Sequence, residues 1–546
     1  METNGTPNAT PSTTVAKSLI PEKTFNAADL AYVFMALACG FLYWNFTFVY
    51  PQGAGVTVFA LILLGATLVY FLKSGIKQTA KSWTWFVIAV LMAAQFMLFD
   101  NRGMNWLHFM FLSVVFSYWV CVATGRQLGG KISVYVVGEI IRQGFSIPFR
   151  NFGCCGTGLK KAFSERKGVK NVLAAVIGVI VFLPLIIIVI LLLMSADLAF
   201  ENFAAGLLEG LQMDKIALYV WQFIIGIPVA FYLYGLVYGN VKGRYADKMT
   251  VESVGKAAQS MRLAPRVAIY SVCTVFNVIY LTFFVVQADY LFSAFEGTLP
   301  EVFTYSEYAN RGFFELCGVA ALNLLILMIV HLAAKREKNE EPKMLRVQTA
   351  AMVLFTILLI ATALSKMVIY IDAYGMTQLR VYASWFMVVL LLVFVVLGVR
   401  QFKRFNAARV VVIGIVMMFI GLSYGNIDGM IAKYNISRYE AGTLPHFDFD
   451  MLYDLSDAAV APVYEMYERT DEKFAATREK LENVILQYDR YGYRVIDYGY
   501  EQYDVIEERE FRGFNFQSRR AEEIRVTLAA ERLGLKESLE IGVETN

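Results

Sequence analysis

Charge is what this chain has least of. Only 17% of its 546 residues are Asp, Glu, Lys or Arg, against 57% hydrophobic and 15% aromatic, too little charge to dress the surface of a soluble protein this long. Histidine is scarcer still: His108, His331 and His446 are scattered along the chain, so spacing assembles neither a metal cluster nor a Ser/His/Asp set. The six cysteines, at 39, 121, 154, 155, 273 and 317, all precede residue 426, which excludes a disulfide framework from the C-terminal segment. Runs of alternating polarity are missing as well, which excludes a membrane β-barrel.

Long apolar runs stand in their place. A bilayer core takes about 20 apolar residues per helix, and such runs occupy 29–50, 55–72, 83–99, 105–124, 169–194, 216–239, 266–287, 313–333, 345–364, 381–399 and 409–425. They are apolar on every face, and lipid offers backbone groups no partners, so each is predicted to be a helix. The expected fold is an all-α polytopic membrane protein with about 11 transmembrane helices and a small, mainly helical C-terminal soluble domain. Its expected parts are a disordered cytoplasmic tail at 1–28, a helical bundle at 29–425 with a basic cytoplasmic loop at 125–168, and an acidic domain at 426–546.

Sidedness follows from Lys and Arg, which are retained on the cytoplasmic side. One alternate set of connections carries 25 of them and the other 5. The poorer set is acidic, with Asp197, Glu201, Glu209, Asp214, Asp289, Glu296, Glu301 and Glu307. The N-terminus is therefore expected in the cytoplasm and, after an odd number of spans, the C-terminal domain outside. Residues 426–546 hold 15 basic against 25 acidic residues, a surface that excludes a nucleic-acid partner. In that segment a helix capped by Thr470 should bury Leu481 and Ile485, and a second, from about 518 to 533, should bury Ala521, Ile524 and Leu528. Six tyrosines between Tyr488 and Tyr503 read as packing of a small domain or contact with the membrane rim.

Other local patterns have modest readings. Val134, Val137, Ile141 and Phe145 alternate with Lys131, Glu139 and Arg142, which predicts an amphipathic helix in the headgroup layer, ended by Pro148. Gly235/Gly239 and Gly421/Gly425 have the spacing of close helix contacts. Asn277, Asn323 and His331 are candidates for hydrogen bonds between spans, and Arg311 can pair with Glu315 one turn on. Gly153-Cys154-Cys155-Gly156-Thr157-Gly158 lacks the Lys of a phosphate loop, and its cysteines read as inert thiols beside the membrane.

Three stretches carry a resemblance. The block Leu299–Leu316, which closes on Tyr308-Ala309-Asn310-Arg311-Gly312-Phe313-Phe314-Glu315-Leu316, is followed by Asn426–Tyr439 with Leu455-Ser456-Asp457-Ala458, and then by Phe511-Arg512-Gly513-Phe514-Asn515. Together they resemble the bacterial DUF4153 and DUF4173 membrane proteins. Asn310 departs from the pattern, which has a basic residue there. The resemblance implies a multi-pass protein of the bacterial cytoplasmic (inner) membrane with unassigned function, and it supplies no catalytic, cofactor-binding or metal-binding residue.

The first two blocks fall on one side of the predicted topology, so Glu307, Arg311 or Glu315 is expected to meet Lys433, Asn435 or Arg438 and couple the bundle to its C-terminal domain. Two function classes stand open. One is a non-enzymatic envelope sensor, scaffold or regulator with the bilayer and an envelope protein or peptide as partners; the other is a transporter or envelope transferase handling a lipid-linked substrate. A deep polar cavity between helices would favour the second, and a dry bundle the first.

Overall fold

The computed structural model describes residues 21–48, 52–164, 213–245, 251–286, 305–335, 342–444, 447–470, 475–486 and 511–533, with isolated positions between 182 and 200. The protein is all-α and polytopic. Among the described residues there is no β-strand, and ten helices are long and apolar enough to cross a membrane. These ten coincide with ten of the eleven apolar runs; the remaining run, 169–194, lies largely outside the described residues.

The first group of spans is built on α1 (Ala27–Tyr43), α2 (Ala54–Lys73), α3 (Ala80–Leu98), α4 (Asn105–Ala123) and α8 (Met213–Val241). Asn26 opens α1 with a capping box: its Oδ1 accepts from the Asp29 N–H at 2.8 Å, and Asp29 Oδ2 accepts from the Asn26 N–H at 2.7 Å. Two of the helix's unpaired donors are thereby satisfied. Lipid is as apolar as leucine, so nothing hydrophobic pulls spans together and close backbone packing must do so. At the crossing of α1 and α8 a Cβ on Gly40 would lie 2.2 Å from the Gly226 carbonyl oxygen, and one on Gly226 would lie 2.6 Å from that of Gly40. Glycine is the residue that lets these two helices touch.

Three short helices fill the end where α1 begins: α5 (Val136–Ile141), α6 (Ile147–Arg150) and α7 (Gly153–Ser164). Here two expectations are corrected. The 136–150 stretch is amphipathic, yet its polar face is turned into the protein, with Glu139, Arg142 and Gln143 buried and Val137, Ile141 and Phe145 exposed. Glu139 accepts from the Leu128 N–H, Arg142 donates to Arg126 O at 2.9 Å, and Gln143 exchanges two amide hydrogen bonds with Asn240 of α8 at 3.1 and 2.8 Å. Pro148 does not end the helix either. A π-turn at Arg142–Ser146 carries the chain into α6, and the Gly144 carbonyl, which Pro148 cannot serve, accepts from the Tyr232 hydroxyl at 2.8 Å, as buried backbone acceptors require. Gly235 and Gly239 press on this segment, with would-be Cβ distances of 2.5 Å to Pro148 O and 2.4 Å to Asn151 Nδ2. The second glycine pair is no contact, because nothing lies within 4 Å of a Cβ at Gly421.

The amphipathic α9 (Val251–Ser260) leads to a second group of spans: α10 (Arg266–Val286), α11 (Tyr305–Ala333), α12 (Lys343–Tyr374) and α13 (Gln378–Phe402). Interhelical polar contacts hold it. Asn323 accepts from Tyr280 and donates to Thr356 Oγ1 at 2.9 Å, and Asn277 donates to Gln348 O at 3.1 Å. His331 Nδ1 meets Leu327 O of its own helix at 2.8 Å. Each group has its own apolar core. Between them stands α14 (Ala407–Tyr424), which sends Phe419 into the first core and accepts from Trp385 of α13 through Met418 O at 3.2 Å.

The ends can be ordered by contact. Tyr238 near the end of α8 donates to Thr24 O at 2.8 Å, before α1 begins, and Tyr424 at the end of α14 donates to Leu91 O in the last two turns of α3 at 2.7 Å. Residues 24 and 424 thus lie at opposite ends of the bundle, and so do Ser164, packed in α7 by the start of α1, and Trp221 at the far end of α8.

Two predictions follow from this packing. Gly226→Val should cost at least about 1–3 kcal/mol through overpacking and erase the monodisperse peak in fluorescence-detected size-exclusion chromatography, whereas Gly421→Ala should leave it in place. Burial raises the carboxyl pKa of Glu139, against the Leu128 N–H and Arg142, which lower it. A folded-state pKa above the unfolded one contributes stability below the unfolded pKa that is lost as pH rises through the folded value. Glu139→Gln should therefore gain melting temperature relative to the native protein on going from pH 5 to pH 8, and an unchanged difference would contradict this.

Candidate functional site

The C-terminal helices α15 (Ile427–Glu440), α16 (Val460–Arg469), α17 (Ala475–Ile485) and α18 (Phe516–Leu533) share a third core, with Ile436, Val463, Leu481, Ile485, Ala521 and Leu528 buried. Leu481 and Ile485 on the first expected helix, and Ala521 and Leu528 on the second, are where amphipathicity predicts them. Thr470 closes α16, its hydroxyl donating to Met466 O at 2.8 Å; residues 471–474, which it was expected to cap, lie outside the described residues. The tyrosines from 488 to 503 lie outside the described residues.

This small core sits on the bundle end where α14 finishes, and it grips both helix groups. On the first group Asp457 is the hub. Its Oδ2 receives Arg102 at 2.6 Å, its Oδ1 receives Arg525 of α18 at 2.7 Å, and its backbone N–H donates to Asp100 Oδ2 at 3.1 Å. Arg102 and Asp100 also pair directly, at 3.0 Å. Two acids and two guanidiniums thus balance in a nearly dry site, with the two aspartate side chains 2–4% exposed and the arginines 12–14%. Removing one partner from such a set leaves an uncompensated charge. Around the hub Ser456 Oγ donates to Asp100 O at 2.8 Å, and the Asp100 N–H donates to Gln517 Oε1 at 2.8 Å. The Ala54 N–H, which opens α2, donates to Phe514 O at 2.7 Å. A Cβ at Gly53 would lie 2.5 Å from that same carbonyl oxygen, so the turn into α2 needs glycine there.

On the second group the grip is α15. The Asn435 side-chain amide pairs with the backbone of Met376, accepting from its N–H at 2.7 Å and donating to its carbonyl at 2.8 Å. Arg438 reaches Asp372 at 2.7 Å, a hydrogen bond that raises its already high pKa. Asp428 joins the two grips, because its Oδ1 accepts from Gln378 of α13 at 2.8 Å and its Oδ2 from the Ser456 N–H at 2.9 Å.

Of the coupling residues expected from sequence, Asn435 and Arg438 do touch the bundle, but at the 372–376 turn between α12 and α13. Lys433 lines a groove described below. The side chains of Glu307 and Arg311 lie outside the described residues, and Glu315 is within electrostatic reach of Lys366 on α12. Sequence reasoning missed Asp100, Arg102, Asp372, Gln378, Asp428 and Arg525 as partners. A signal existed for two of them: Asp100 and Arg102 are the only charges in the connection at 100–104.

The interior of the bundle differs from its ends. A cavity of about 160 Å³ lies among α1, α2, α4 and α8, lined by Val56, Phe59, Leu63, Phe109, Leu112 and Phe116 with a few hydroxyls at its margin. At the end opposite Asp457, Asp29 is fully buried with Lys242 at 2.8 Å and the Tyr70 hydroxyl at 2.6 Å. Nearby Cys154 and Cys155 are buried, and burial pushes the Cys155 thiol up to about 12, which keeps it protonated and unreactive,. Among the described residues no group of three or more His, Cys, Asp or Glu could hold a metal ion.

A multi-pass helical membrane protein, closed at one end by a small helical cap that holds two helix groups, is the class these features define. The chain belongs to the DUF4153 family, a domain of unknown function whose model matches residues 86–466. That match runs from α3 through α16 and so includes Asp100, Arg102, Asp428 and Asp457. No curated protein and no solved structure matches the chain.

Asp457→Ala takes from Arg525 its carboxylate partner and from Arg102 one of two, and should cost about 3–5 kcal/mol, read as a lower melting temperature of the purified protein. Asp372→Asn, at an exposed pair, should cost about 1 kcal/mol or less.

Proposed function

We propose that this protein is a non-enzymatic component of the bacterial inner membrane that senses, scaffolds or regulates through its C-terminal domain, residues 426–546. The observation that carries the reading is the double grip: one small core is fastened to the first helix group through Asp457 and to the second through Asn435 and Arg438. Any change in the relation of the two groups must strain one grip or the other, so the domain is built to register it. The apolar cavity supports the same reading, since a transported polar solute would need hydrogen-bonding groups along its route,. The partners are the bilayer and, at the domain's exposed surface, an envelope protein or peptide.

The charge asymmetry of the connections supports an N-terminus in the cytoplasm and a C-terminal domain outside. In spheroplasts a single reactive cysteine replacing the exposed Lys480 should label with a membrane-impermeant maleimide; labelling that appears only after the membrane is broken contradicts the orientation. For the regulatory role, cysteines at 376 and 435 should crosslink the second grip. In a deletion strain the locked protein should fail to restore the native phenotype until reductant is added. Equal rescue by locked and reduced protein contradicts the reading.

A further inference from the structure

Just beyond the last residue of α14 a groove of about 410 Å³ opens between α15, α16 and α18. Its volume is that of a small-molecule site. Each helix supplies one wall: Asn426 and Lys433 from the first, Glu465 from the second, and Gln517 and Arg520 from the third. Lys433, Glu465 and Arg520 form no ion pair among the described residues, unlike Asp457 at the groove's floor, which is matched by Arg102 and Arg525. Among the described residues the groove thus offers two cations and one anion without an ion-pair partner.

Its position says where a ligand comes from. Gly425 and Asn426 directly follow a membrane span that ends at Tyr424, so this wall stands at the level of lipid headgroups,. Met430, which lines the groove, is 41% exposed, and an apolar side chain at that level rests in the acyl boundary. We propose that the groove binds the headgroup of a zwitterionic phospholipid carrying a primary ammonium, of the phosphoethanolamine type. Lys433 and Arg520 take the phosphate, and Glu465 takes the ammonium. A quaternary ammonium has no N–H to give to Glu465, so a choline headgroup binds more weakly.

The test uses the full chain in nanodiscs of phosphatidylcholine doped with phosphatidylethanolamine or phosphatidylglycerol, followed by native mass spectrometry of the lipids retained. The native protein should retain phosphatidylethanolamine over phosphatidylcholine by roughly tenfold, the worth of one charge-assisted hydrogen bond. Glu465→Gln, at an exposed position, should abolish that preference. Lys433→Ala with Arg520→Ala should lower retention of both zwitterionic lipids. A preference that survives Glu465→Gln overturns the proposal. So does equal or greater retention of phosphatidylglycerol, which would make the groove a reader of negative charge alone. Glycerophosphoethanolamine in solution should not raise the melting temperature in detergent; if it does so as fully as the lipid, the membrane is not the source.

Discussion

Everything at the junction depends on Asp457 keeping its charge in a nearly dry place. A carboxylate there is tolerable because two guanidiniums flank it, Arg102 at 2.6 Å and Arg525 at 2.7 Å, and because Asp100 balances the second positive charge. These four groups come from three parts of the chain: the α3–α4 connection, the turn before α16 and the middle of α18. Satisfying one acid therefore fixes where three distant segments meet. Buried ion sets of this kind add little net stability but penalise every arrangement that leaves one member alone, so the network selects a geometry more than it strengthens one.

That selection matters because the bundle itself is bipartite. Its two apolar cores meet along α14, and within lipid their association rests on close contacts such as Phe419 with Trp385, whose ring centroids are 6.0 Å apart,. The C-terminal domain spans this seam outside the lipid, where hydrogen bonds and ion pairs must compete with water. Its first grip is buried and charged; its second, at Asp372 and Met376, is more exposed. The weaker hold is thus on the α12–α13 side, and movement of the second group against a cap fixed on the first is the motion the arrangement permits.

The spans were legible because the bilayer imposes one simple demand, about 20 apolar residues per crossing, and ten of the eleven runs meet it as helices. The C-terminal helix at 516–533 was legible for a similar reason, since Ala521 and Leu528 repeat at helical spacing. The junction was harder. Asp457 lies within the Leu455–Ala458 block that carries the family resemblance, and Asn435 and Arg438 within the preceding one, so the surface was found. Its partners were not, because pairing across 355 residues, as between Arg102 and Asp457, leaves no periodic trace. The inverted 136–150 helix was misread for a physical reason too: amphipathicity states that one face differs from the other, and next to a membrane the apolar face can be the outer one.

The claim that the C-terminal domain ties the two helix groups together can be measured at the end of the bundle far from it. Spin labels on cysteines replacing Lys73 at the end of α2 and Lys403 after α13 would report the distance between the groups by double electron–electron resonance in nanodiscs. The native protein should give one narrow distribution, and Asp457→Ala should broaden or shift it while the spans remain folded. A distribution left unchanged by Asp457→Ala would contradict the account, because the groups would then hold their relation without the domain that bridges them.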